Sequence, residues 1–72
     1  MTKFTLIIWV CSFLHGEVCM PPIQSPQTYN SWYECSRAAH QESAKLMISL
    51  GYKTVNKDKI AMKYRCREVG II

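Results

Sequence analysis

Four cysteines, Cys11, Cys19, Cys35 and Cys66, are the residues of this chain with the widest chemical reach. Thiols can cross-link, hold soft metals or attack an electrophile, and their spacing decides among these. Cys11, His15 and Cys19 fall at intervals of four. Zinc asks for four converging ligands, most often anchored by a close cysteine pair. The sequence has no such pair, so no metal is expected. His40 follows Cys35 by five residues, which on a helix turns it to another face, away from the contact that a nucleophilic thiol needs. What remains is cross-linking or plain burial as small core residues in a reducing compartment. Cys35 pairs naturally with Cys66 if both face one core, and Cys11 with Cys19 across a turn. That is one of three possible connectivities, and the reduced state stays open beside it.

The second chemical feature is charge. From Lys45 to Arg67 there are seven basic residues against the single acid Asp58, a net +6, whereas the first 44 residues carry a net −1. Such asymmetry points to an anionic partner. Lys63, Arg65 and Arg67 alternate with apolar residues, and Lys57 and Lys59 lead into them. Together these five are the candidate anion-binding set for a nucleic acid or another polyanionic surface. The competing reading is a solvated face that keeps a strand edge from aggregating.

These side chains need elements to hold them. Phe4 to Leu14 is an almost unbroken apolar run behind Lys3, too short at about 1.5 Å per residue to cross a bilayer as a helix. No transmembrane span is expected. Residues 1–16 fit either a secretory signal or a buried strand over about 4–12, rich in β-branched and aromatic types. Cleavage would leave an odd number of cysteines and remove the best partner of any C-terminal strand. The strand is therefore favoured, with a location in the cytoplasm of the host cell; the signal would instead imply a secreted or periplasmic peptide.

After a turn at His15–Glu17, residues 17–20 read as a short returning strand, and the prolines of 21–28 as an extended linker. A helix is expected over about 31–50. Ser31 and Glu34 have capping-box spacing, Trp32, Cys35, Ala39, Leu46 and Leu50 share a face, and Gly51 stops it. Residues 52–55 fit a strand or a helical extension, and 56–59 a turn. From Ile60, apolar and polar residues alternate to Arg67, the period of a half-buried strand over about 60–67. The fold class is α+β, a small ββαβ layer with one helix on an antiparallel sheet.

One helix covers one face. The apolar residues on the other side of the first strand, Ile7, Trp9 and Phe13, are a candidate interface for a protein partner or a second copy. The 72 residues form a single domain, 1–72, which buries only about 60% of its unfolded surface. That leaves little chain for a water-excluding cleft. A non-catalytic protein, with no cofactor and no small-molecule substrate, is expected.

The apolar run ending in Cys11-Ser12, Gly16, Cys19 with Pro21-Pro22, Glu34-Cys35, Val55-Asn56 and Lys63-Tyr64-Arg65-Cys66 resembles small uncharacterised proteins of marine phages and environmental bacteria. The resemblance implies a small accessory protein and transfers no site residue.

Overall fold

The chain runs β1 (Thr2–Ser12), β2 (Val18–Cys19), β3 (Ile23–Tyr29), α1 (Trp32–Leu50), α2 (Tyr52–Asp58) and β4 (Ile60–Gly70) in a computed structural model describing residues 2–70. β1 is the centre of the sheet. Its β-branched and aromatic residues suit a strand with neighbours on both sides. β4 pairs antiparallel along its whole length, from Thr2 opposite Gly70 to Ser12 opposite Ile60. On the other side β2 and β3 lie end to end, Cys19 opposite Cys11 and Tyr29 opposite Phe4.

β3 corrects the expected linker over 21–28. It is an edge strand, so only one side of its backbone must pair, and its proline sits where the ladder breaks. Thr28 opposes Thr5 and Gln24 opposes Ile7, so Ser25, Pro26 and Gln27 bulge opposite Leu6. Proline is tolerated at such edges and bulges because no ladder N–H is required of it. The sheet therefore has four strands rather than three. The interval 52–58 is a second short helix, so the turn expected at 56–59 narrows to Lys59, which takes the left-handed conformation (φ 53°) before β4.

α1 packs on the sheet with Leu6, Ile8, Cys35, Ala39 and Cys66 as the buried cluster, ringed by Phe4, Tyr29, Ala38, Leu46, Met62 and Tyr64. The small Ala39 lets the helix come close. Its cap differs in one detail from the expected box. Ser31 Oγ accepts from the Glu34 backbone N–H, but the Glu34 carboxylate accepts from the N–H of Asn30, one residue earlier than Ser31. Gly51 ends the helix at φ 90°, a conformation costly for any residue with a Cβ. Trp32 and Leu50, expected on the buried face, are instead exposed at the two helix ends, because the packed cluster spans only the middle of the helix. Trp32 still meets Phe4 edge to face.

All four cysteines are bonded. Cys11–Cys19 joins opposed residues of β1 and β2 with their Cα atoms 4.0 Å apart. Cys35–Cys66 ties α1 to β4 with a Cα separation of 6.1 Å. A disulfide restricts the unfolded chain more as its loop lengthens. The loops here span 31 and 8 residues, so Cys35→Ala with Cys66→Ala is expected to cost about 3.7 kcal/mol, and Cys11→Ala with Cys19→Ala about 2.5 kcal/mol. Urea unfolding of the two double variants checks the order; equal losses would mean that loop length is not what sets the effect.

Candidate functional site

The sheet has one covered face and one open face. In an antiparallel ladder, opposed residues project to the same side and neighbours alternate. The even residues of β1, Phe4, Leu6 and Ile8, belong to the core beneath α1. Its odd residues, Thr5, Ile7, Trp9 and Cys11, therefore line the opposite face, where Thr5 and Cys11 are buried and only Ile7 and Trp9 are partly exposed. β4 sets Arg67, Arg65, Lys63 and Ala61 beside them in that order. On the other flank stand Thr28, Gln24 and Cys19.

The result is a two-row surface: Ile7 and Trp9, half-buried, in the centre, with exposed Arg65 and Lys63 beside them and Arg67 next in line. Same-face residues along a strand are about 6.8 Å apart, so three like charges stand in a regular file. Lys63 reaches Glu17 at 3.5 Å, a pair exposed on both sides and therefore weak. Arg65 and Arg67 have no ion-pair partner among the described residues.

Not every candidate joins this face. Lys57 belongs to α2 and Lys59 to the left-handed corner, both outside the β4 ladder. Phe13 lies past the end of β1, exposed, its N–H donating to the Lys59 carbonyl at 2.9 Å. Beside it Ser12 Oγ donates to the Asp58 carbonyl at 2.6 Å, and together these bonds fix the corner where α2 turns into β4. Cys11 and Cys19 are bonded to each other, which withdraws both sulfurs from His15. His40 has no free thiol to serve either, since Cys35 is bonded to Cys66: it contacts the Ser36 carbonyl through Nδ1 at 2.8 Å and lies edge-on to Tyr64. Tyr64 in turn shares a hydrogen bond of 2.8 Å with Ser36 Oγ, pinning β4 to α1.

Two surfaces escape the sequence pattern. The β3 bulge leaves an apolar hollow of about 330 Å³ against α1, floored by Leu6 and Ile8 and walled by Ile23, Tyr29 and Leu46. At the α1–α2 corner Ile48 and Tyr52 stand almost wholly in solvent. The shared outer face of Ile7, Trp9 and the basic row did leave a signal: both strands bury their even residues, so their odd residues must face out together.

Among the described residues no helix is long and apolar enough to cross a membrane. No protein-family model, curated protein or solved structure matches the chain. The resemblance to small phage and environmental proteins thus rests on residue spacing alone.

Unpaired like charges on one strand face repel. Arg65→Gln with Arg67→Gln is expected to raise Tm by roughly 1–3 °C at low salt, and by nothing at about 1 M salt, where the screening length falls to about 3 Å. Thermal melts of wild type and variant at both salt concentrations check it; a loss of stability at low salt would mean that the arginines serve the fold.

Proposed function

We propose that this chain is a non-catalytic binding module of an oxidising compartment, docking an acidic macromolecule on its open sheet face. The observation that carries the reading is the β1–β4 register, which sets Trp9 beside Lys63 and Ile7 beside Arg65. Half-buried apolar groups supply contact area, and the adjoining cations supply attraction over distance and orientation on arrival. A solvated protective face would need the charges but not the apolar row. The same cations favour an acidic partner over a second copy, since a copy docked face to face would bring a second cationic row onto this one.

The location follows from the cysteines. Disulfides persist in oxidising compartments and are uncommon in the cytosol. Both pairs therefore favour the secreted or periplasmic alternative over the cytoplasmic location inferred from the N-terminal strand. That strand is nevertheless integral: β1 supplies Leu6 and Ile8 to the core and Cys11 to a staple. Residues 2–12 are read as part of the working domain rather than as a signal removed from it.

A single-stranded oligonucleotide serves as a generic polyanion probe. Three phosphate-neutralising contacts predict that log K falls against log salt with a slope of about −2. Lys63→Gln, Arg65→Gln and Arg67→Gln together should abolish that slope. Trp9→Ala should keep it and lower affinity about tenfold at every salt concentration. Fluorescence anisotropy over a salt series decides. A triple variant with an unchanged slope would place the contact elsewhere and end this reading.

A further inference from the structure

β4 is the longest edge in the molecule. One side of its 11 residues is fully engaged by β1, and among the described residues no strand pairs the other. At about 3.3 Å per residue, that is roughly 36 Å of strand edge. An unpaired edge of this length is a template for another chain.

A helix stands beside the edge. Ser36 and His40 of α1 contact Tyr64 of β4, and with Tyr33, Arg37 and Gln41 they form a shallow hollow on that helix. A strand edge beside a helix is the geometry in which an extended peptide can add a strand, its backbone held by ladder bonds and its alternate side chains by pockets.

The identity of the added strand follows from what lies on each side of β4. On the open face it would meet Lys63, Arg65 and Arg67. On the helix side it would meet Ile60, Met62 and Tyr64, all half-buried, of which Met62 and Tyr64 pack against the core under α1. A second copy of β4 fits poorly, because antiparallel self-pairing would set cation against cation, and like charges directly opposed are destabilising.

We infer that the β4 edge accepts an extended segment of an acidic protein as a fifth strand, with acidic residues at every second position and apolar residues between them. This rests on the acidic-partner reading above and narrows it to a polypeptide. Three of its acids would fall beside the three cations of the file, and the apolar residues between them on the side of Met62 and Tyr64.

The probe is an end-capped peptide of eleven residues alternating Glu and Val, titrated into the full-length oxidised protein. The control is a peptide of the same composition with the alternation scrambled. The alternating peptide should bind at least tenfold more tightly than the scrambled one. It should also slow hydrogen exchange at every second backbone amide of β4, the set that points away from β1. Charge reversal at Lys63→Glu, Arg65→Glu and Arg67→Glu should transfer the preference to an alternating Lys and Val peptide. Equal binding of the two Glu peptides, no binding of either, or binding without protection of β4 amides would overturn the inference. In any of these cases an oligonucleotide bound with the three-cation salt slope would leave the wider acidic-partner reading intact, whereas loss of that slope as well would remove both.

Discussion

Everything in this fold hangs on the eleven-residue ladder between β1 and β4. A chain this short has little apolar surface to bury, and an isolated strand pair is marginal in water. The ladder holds because its even residues gain a helix: Leu6, Ile8 and Cys66 pack with Cys35 and Ala39 into one cluster. The register that places those residues inward leaves no freedom for the odd ones. A slip of β4 by one residue against β1 would turn its side chains to the other face, bringing the arginines under the helix beside Leu6 and carrying Cys66 away from Cys35. Burial of the core and display of the basic row are thus two consequences of a single register.

The staples stand where the ladder alone would be weakest. Cys35–Cys66 binds the helix layer to an edge strand that, among the described residues, has only one strand neighbour. Cys11–Cys19 holds a two-residue strand to the end of β1, where the returning chain would otherwise have only a short run of pairing before Pro21. At the same end Ser12 and Phe13 bond to Asp58 and Lys59, closing the corner from the other side. On the face away from α1, Cys11 is buried by its bond to β2, while Ile7 and Trp9 stay half-exposed.

Much of this was legible in the residues. The capped run from Ser31, the stop at Gly51 and the period-two pattern from Ile60 specify helix and strand by local chemistry, and the structure agrees with each. The faces and turn assigned to the cysteines suggested the two pairs found, Cys11–Cys19 and Cys35–Cys66, but left other connectivities and the reduced state open. The third strand was not legible, because three prolines between 21 and 26 mimic a linker; only the edge position and the bulge opposite Leu6 make Pro26 acceptable there. Nor was the second helix, since Tyr52 to Asp58 has little apolar periodicity and is held by its packing against α1 and β4. At the site, Ile7, Trp9 and the basic residues were each recognised, but as separate features. The alternation in each strand signals a shared outer face, but which residue stands beside which is set by the register between strands far apart in sequence.

The most direct test of the account is the disulfide map of the protein taken from its native producer. Digestion without reduction, followed by mass spectrometry, should recover a peptide from the β1 region joined through Cys11 to Cys19. It should recover a second pair joining Cys35 to Cys66. That result would show at once that β1 is retained, that the compartment is oxidising and that helix and edge strand are stapled as described. Free thiols or a Cys19 or Cys35 bonded elsewhere would contradict it, and a mature chain lacking Cys11 would also remove the open face built on β1.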